Sequence, residues 1–381
     1  MPVPVLLVST TTTWLGTARI PKGLADAGFE VSLLAPRRSL AEASRFVARL
    51  RHIDDRTTPA QWFDAFAAMV DATGPRLVIP CDDTAFELLA SVATDRAKRV
   101  PADVQAALAE LVCTSLGQPG FFLSSVDKTL LPPLAEAIAV KVPAYSIVTR
   151  TVEAAAFAST HRYPIVLKRG HAFAGQGVAI CMDEADLARA ISTFALADAR
   201  DRYGSTPGRF LAQAHVEGPV RYFHAVAWQG ELVAGFALEK LVANPAPNGP
   251  PTITRYFAGQ DLRRIASDVA RAFGISGLFF AEFICDKATG VPLLIEINRR
   301  VSPATHRGAE RNVNLCAALF AALDGSASTS RAALDADEEG IVAHFPQEWL
   351  RDPGSPHLQR YPADVPWDEP ELLQALLKLP H

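Results

Sequence analysis

The stretch GLFFAEFICDKATGVPLLIEINRR, residues 277–300, constrains the fold of this chain more than any other. Two apolar, β-forming segments flank DKATG, a turn-compatible linker, and this order predicts two adjacent antiparallel strands. Glu282 stands in the first segment and Glu296 in the second, so pairing would bring two carboxylates together. Strand side chains repeat with a period of two, so Asn298 shares the face of Glu296 and Arg300 continues it. Two carboxylates and an amide oxygen suit a hard cation that also holds phosphate, and a neighbouring arginine can neutralise phosphoryl oxygens. The plainer alternative is a charged strand end paired internally.

A second segment points the same way. In YPIVLKRGHAFAGQGVAICMD an apolar strand delivers Lys168 into a loop holding Gly170, Gly175 and Gly177, after which GVAIC resumes the strand pattern. Glycines let backbone amides approach an anion closely, and a lysine adds positive charge. By itself such a loop is also an ordinary β-hairpin. Downstream, FLAQAHVEG reads as a strand entering a polar bend, and YFHAVAWQG with ELVAGFALEK as antiparallel strands about the Gln229-Gly230 turn. NPAPNGPP is a loop, either a flap over substrate or a surface excursion, and Asp261 to Phe273 has helical periodicity ending at Gly274.

The amino-terminal part alternates strand and helix: PVLLVS, Ile20 to Ala27, FEVSLLAP, Trp62 to Ala72, then RLVIP. That order predicts a parallel sheet covered on both faces. Ligands of such a sheet meet the loops after the strands, here Ser9 to Trp14, Ala35 to Arg38 and Cys81 to Thr84. The first loop reads STTTTWLG and lacks a GxGxxG turn, which weakens dinucleotide binding. Its hydroxyls, like Asp82 and Asp83, could cap a helix or face a ligand. Pro101 to Val140 is mixed and helical in character.

At 381 residues the chain is long enough for two to three domains at about 150 residues each. A net charge of −4 removes the global positive field of a protein held mainly by nucleic-acid phosphates, so no nucleic-acid partner is expected. The five cysteines, at 81, 113, 181, 285 and 316, form no CxxC pair, which argues against a disulfide scaffold and for buried thiols. No apolar run reaches the roughly 18 residues of a membrane span, so a soluble cytoplasmic protein is expected. The tail, with GSASTS, DADEEG and WDEPELLQALLKL, reads as a linker, an acidic segment and a packed extension ending in an amphipathic helix. That extension could complete the site's rim or a homodimer surface.

In order and combination, VDK at 126–128, VLKRG at 166–170, the Gly175/Gly177 loop, QAHVEG at 213–218, AEF at 281–283 and EINRR at 296–300 resemble the ATP-grasp superfamily, in particular its carboxylate-amine ligases. The resemblance implies a mixed α/β and α+β chain: a Rossmann-like preATP-grasp domain over 1–112, a two-subdomain ATP-grasp region over 113–324, and a small extension over 325–381. It implies that Lys128 and Lys168 reach ATP phosphates, that Gln213 and the Val216 backbone contact adenine, and that Glu217 belongs to the nucleotide site, with Val220 where relatives hold ribose. Glu282, Glu296 and Asn298 match the Mg2+ set, with Mn2+ as an alternative ion, while Arg300 joins Lys168 in phosphoryl transfer. The implied reaction is ADP-forming: a substrate carboxylate becomes an acyl phosphate, which an amine or amino acid converts to an amide or peptide-like bond. A non-amine acceptor and a non-catalytic nucleotide-responsive protein are the alternatives. For the small carboxylate substrate, Arg307 is the preferred clamp, beside His306 and Arg311 in VSPATHRGAERNVNL, with Arg221 and Arg255 as further cations.

Overall fold

The computed structural model describes residues 2–54, 57–94, 102–171, 177–198, 208–247, 249–326 and 340–379. The first strand, β1 (Val3–Val8), has no polar alternation because both of its faces are covered: Val5 and Leu7 enter one core, Leu6 and Val8 another. It lies between β2 (Phe29–Pro36) and β4 (Leu77–Pro80), and with β3 (Val47–Ile53) these form a parallel sheet of order β3-β2-β1-β4. Helix α1 (Ile20–Asp26) packs on one face. On the other lie α2 (Pro59–Thr73), α3 (Asp83–Ala93) and α4 (Ala102–Leu116). A Thr58/Gln61 capping box starts α2, and Gly74 at φ 53° ends it in the left-handed conformation that favours glycine.

The edge strand β3 (Val47–Ile53) was not expected from sequence, because VARLRHI puts arginines on a mostly exposed ribbon instead of presenting a buried apolar face. Charge on an edge discourages pairing with other chains and hides the strand from hydrophobic-pattern reading. The expected boundary between residues 112 and 113 falls inside α4 (Ala102–Leu116), so the helical connection begins before it.

After α5 (Leu131–Ala137), a small antiparallel sheet of order β5-β8-β6-β7 is built from β5 (Tyr145–Val148), β6 (Ile165–Arg169), β7 (Val178–Cys181) and β8 (Phe210–Ala214). Ile165, Leu167, Cys181, Phe210 and Ala212 face helices α6 (Thr151–His161) and α7 (Glu184–Asp198). By the period of two, Val166, Lys168, Val178, Ile180 and Gln213 turn the other way, into a cavity.

The floor of that cavity is a six-stranded antiparallel sheet of order β13-β12-β9-β10-β11-β14. It comprises β9 (Val220–Trp228), β10 (Glu231–Ala243), β11 (Pro251–Phe257), β12 (Gly277–Cys285), β13 (Pro292–Asn298) and β14 (Gly340–Ala343). One face packs on α5 and α8 (Gln260–Ala272) through Phe223, Ala281 and Phe283. The other meets α9 (Leu315–Asp324) and the parallel-sheet region through Tyr222, Val226 and Phe280. The carboxyl-terminal segment contributes β14 to this sheet, then α10 (Gln347–Arg351), α11 (Pro356–Arg360) and α12 (Pro370–Leu377). Leu372 and Leu376, one helical turn apart on α12, pack against Ala18, Leu40 and Phe345. Burial of each leucine is worth about 1.5–3 kcal/mol, enough to hold a short helix in place.

Among the described residues all five cysteines are free thiols, four buried and Cys113 partly so. No helix there is long and apolar enough to cross a membrane.

Candidate functional site

A cavity of about 270 Å³ lies between the two antiparallel sheets, with Trp14 from the amino-terminal region and His344 and Gln347 from the tail on its wall. On its floor Glu282 pairs in register with Glu296, and Phe280 with Asn298, across β12 and β13. The adjacent carboxylates expected from the 277–300 segment are therefore side by side. Asn298 Nδ2 donates to Glu282 Oε1 at 3.3 Å. Arg300 donates from one terminal nitrogen to Asn298 Oδ1 at 3.1 Å and from Nε to Asp83 Oδ1 at 2.7 Å. Its guanidinium is held over Trp14 and Phe280, with ring centroids 4.7 and 5.3 Å away. Lys128, just ahead of α5, is anchored by its backbone N–H to the Gly170 carbonyl and places Nζ 2.9 Å from Glu296 Oε1. Lys168 enters from the opposite sheet.

The charges of this cluster depend on one another. Burial and the neighbouring Glu296 carboxylate raise the Glu282 pKa to about 7. Burial also opposes ionisation of Glu296, but Lys128, Lys168 and Arg300 outweigh it and hold this carboxyl below its usual range. Burial lowers the Lys168 pKa to about 8 despite attraction to Glu296. Lys128 and Arg300 are also opposed by burial, yet their carboxylate neighbours raise both pKa values. A pair of carboxylates of which one resists ionisation has excess negative potential that a divalent cation relieves. Among the described residues no group of three His, Cys, Asp or Glu side chains forms a metal cage. Glu282, Glu296 and Asn298 instead fit an ion such as Mg2+, which binds through one or two carboxylates and completes its shell with water and phosphate oxygens.

The residues expected on the nucleotide side lie along β8 and the segment that follows it. Gln213 is buried on β8, and Val216, Val220 and Gly177 also line the cavity. Gly218 follows at a bend so close to β12 that a Cβ there would lie 1.8 Å from the Cys285 carbonyl oxygen, which makes glycine a steric requirement.

Solved structures share this arrangement of sheets. The biotin carboxylase domain of 2-oxoglutarate carboxylase from Hydrogenobacter thermophilus, in complex with MgADP, ADP and bicarbonate, matches with a TM-score of 0.68 at 15% identity, over 89% of this chain and 74% of that one. The chain has the ATP-grasp fold. Other matches are N5-carboxyaminoimidazole synthetase from Staphylococcus aureus complexed with ADP (TM-score 0.64, 12% identity, 90% of this chain and 83% of that one) and L-amino acid ligase from Bacillus licheniformis (0.61, 14%, 86% and 77%). Residues 127–217 match the family model described as carbamoyl-phosphate synthase L chain, ATP binding domain. None of the curated proteins matches the chain.

Several residues expected in the ATP-grasp site lie elsewhere. Arg307, the preferred carboxylate clamp, is fully buried beneath the tail, with one terminal nitrogen 2.7 Å from Asp364 Oδ1 and the other 3.1 Å from Glu310. His306 Nε2 pairs with the second Asp364 oxygen at 2.7 Å, so these neighbours anchor the carboxyl-terminal segment. Arg311 stacks over Tyr256 at 5.0 Å, off the cavity wall. Arg221 and Arg255 both bind Glu239, at 2.8 and 2.7 Å, on the face of the sheet opposite Leu238 and Lys240, which line the cavity. Glu217 is exposed, and its carbonyl accepts from the Lys287 N–H at 2.8 Å. Gly175 lies outside the described residues. The five basic residues look plausible in sequence because charge is visible there and the partner that engages it is not.

The loops after the parallel strands divide their duties. Asp82 caps α3 through Ala85 N–H and also accepts from Ser9 and Thr10, so the hydroxyl run bonds to this cap. Asp83 orients Arg300, and Trp14 reaches the cavity, whereas Ala35 to Arg38 do not line it. Gly249, Pro250 and Pro251 of the proline-rich loop do. Sequence reading missed Tyr222, His224, Lys240, His344 and Gln347 as lining residues. Period-two spacing could have found Tyr222 and His224 once Glu282 had been placed on an adjacent strand; nothing local marks His344 and Gln347.

Proposed function

We propose that this protein uses ATP and Mg2+ to activate the carboxylate of a small molecule by phosphoryl transfer, with release of ADP. The observation that carries this reading is the convergence of Lys128, Lys168 and Arg300 on Glu282, Glu296 and Asn298 within one cavity of an ATP-grasp fold. Gln213 and the backbone of Val216 would hold the base, and Lys128, Lys168 and the Gly177 end of its loop the phosphates. Bound Mg2+ would supply charge neutralisation on the phosphate oxygens. Arg300, fixed by Asp83 and Asn298, would face the transferring group with little reorganisation. A carboxylate oxygen of the substrate bonds to the terminal phosphorus as the bond to the ADP oxygen breaks, and an acceptor then displaces phosphate from the acyl phosphate. Burial of Lys168 and Arg300 supports exclusion of water from that intermediate.

The carboxylases among the similar structures favour carboxylate activation with an acceptor other than a simple amine. Amide or peptide-like bond formation is the second reading, supported by the similarity to L-amino acid ligase. Incubation with ATP, Mg2+ and a panel of small carboxylates, bicarbonate, amines and amino acids, with ADP resolved from AMP, tests both. Substrate-dependent ADP formation is expected, and the mass of the product identifies the acceptor. Formation of AMP and pyrophosphate rejects the acyl-phosphate route, and nucleotide binding without turnover across the panel favours a nucleotide-responsive binding protein.

A further inference from the structure

The floor of the cavity is arranged in levels set by strand register. Along β9 and β12, Val220 pairs with Ile284, Tyr222 with Glu282, and His224 with Phe280. All six line the cavity, and successive levels are about 7 Å apart along the strand. The first level adjoins the bend at Gly218 and the second holds the carboxylates. The third adjoins Asn298, which pairs with Phe280 from β13, and its His224 is assigned no part in nucleotide or metal binding. Around it stand Ser302, His344 and Gln347, the last two brought in by the carboxyl-terminal segment.

This third level is polar and preorganised. His224 is stacked between Phe236 and Phe280, with each ring centroid 5.2 Å away. Ser302 Oγ accepts from the Ala304 N–H at 3.1 Å and from the Thr305 hydroxyl at 3.3 Å, so its own hydrogen is directed to His224 Nδ1 at 3.1 Å. That assigns the proton of the neutral ring to Nε2, a donor with no protein partner among the described residues. Burial lowers the pKa of both His224 and His344 to about 3, so neither ring carries charge near neutral pH. Gln347 is 8% exposed and His344 1%, and Gln347 Oε1 and His344 Nδ1 have no hydrogen-bond partner. Unpaired buried polar atoms cost stability unless something binds them. Of the neighbouring cations, Arg300 already donates through all three nitrogens, to Asp83, Asn298 and the Val301 carbonyl, and Arg307, which acts on His344, is paired with Asp364 and Glu310.

We propose that the His224, Ser302, His344 and Gln347 end of the cavity is a subsite for an uncharged group that both accepts and donates hydrogen bonds, a primary amide or its chemical like, on the molecule processed at the carboxylate level. It rests on the phosphoryl-transfer reading for what lies beside it, but its recognition chemistry is independent. A carboxylate fits poorly, since it offers no donor to Gln347 Oε1 and brings a charge that no free cation there compensates.

Acetamide and acetate are the probes. The full chain with labelled histidines is titrated with each near neutral pH, and the His224 and His344 ring resonances are followed by NMR, assigned from the His224→Gln and His344→Gln spectra. Acetamide is expected to shift both rings, acetate to bind about tenfold more weakly, and Gln347→Ala to lose the acetamide response. If Gln347→Ala loses its native circular dichroism, the volume-preserving Gln347→Leu replaces it. No response to acetamide, or an equal or stronger one to acetate, overturns the proposal. MgADP titrated into the same samples separates the two readings: nucleotide binding without an acetamide response rejects the subsite alone, and an acetamide response without nucleotide binding rejects the phosphoryl-transfer reading alone.

Discussion

Lys128 and Glu296 form a 2.9 Å ion pair that joins the loop ahead of α5 to β13, directly beneath the sheet that carries Lys168. The pair keeps Glu296 ionised, whereas its cross-strand neighbour Glu282 is pushed toward protonation. Replacement of Glu296 by alanine should leave the circular dichroism spectrum unchanged and reduce Mg2+-dependent ADP formation by about 100-fold or more, the scale of losing one charge-stabilising group in a transition state. A folded variant with normal turnover at limiting Mg2+ would refute the assigned role.

Lys168 should govern nucleotide affinity through its charge. Its pKa of about 8 in the free protein means that the ammonium is lost as pH rises through that value. Affinity for ADP should therefore fall between about pH 7 and about pH 9, and Lys168→Arg should flatten the dependence because guanidinium keeps its proton. Calorimetric titration of both proteins across that range checks this; parallel curves would remove Lys168 from the phosphate site.

The Arg307–Asp364 pair should contribute to stability, not to turnover. Asp364 accepts from Arg307, His306 and the Phe345 N–H, and its carboxyl is held far below the usual range, against burial, chiefly by Arg307. Asp364→Ala leaves the buried guanidinium with only the exposed Glu310 as a carboxylate partner and should cost about 3 kcal/mol. Denaturant unfolding measures it, and a loss under about 1 kcal/mol would show that the tail is held mainly by α12.

Stability should decline on mild acidification. His224 and His344 have folded pKa values of about 3, lowered first by burial, whereas unfolded histidine titrates near about 6.5. Below about 6.5 the unfolded chain binds more protons, so each ring contributes stability that is present at neutral pH and lost as pH falls toward 3, by up to about 1.4 kcal/mol per pH unit. Thermal unfolding of the wild type and His344→Gln between about pH 7 and about pH 5 should give a shallower slope for the variant. Identical slopes would mean that His344 takes up no extra proton on unfolding.

Determinants confined to one strand or one turn were legible in the sequence. The period of two put Glu296, Asn298 and Arg300 on one face, and the DKATG turn implied that Glu282 would join them. Strand β2 (Phe29–Pro36) coincides with FEVSLLAP, because an unbroken apolar run has few alternatives to a doubly covered strand. Edge strand β3 escaped because arginines interrupt its apolar pattern, and β14 because its four residues, GIVA, are too few to show one.

What the sequence by itself determined was this local order: which residues alternate, where turns fall, and that lysine, glycine and acidic segments follow one another as in ATP-grasp chains. Only the tertiary structure decided which charges are free to act. Arg307, Arg221 and Arg255 are as cationic in the sequence as Arg300, yet Asp364 and Glu239, distant in the chain or on the far face of the sheet, neutralise them away from the cavity. The same folding brings His344 and Gln347 from the tail to the cavity wall. Electrostatic and hydrogen-bond partnership depends on separation in space, and a linear pattern specifies that separation only between near neighbours.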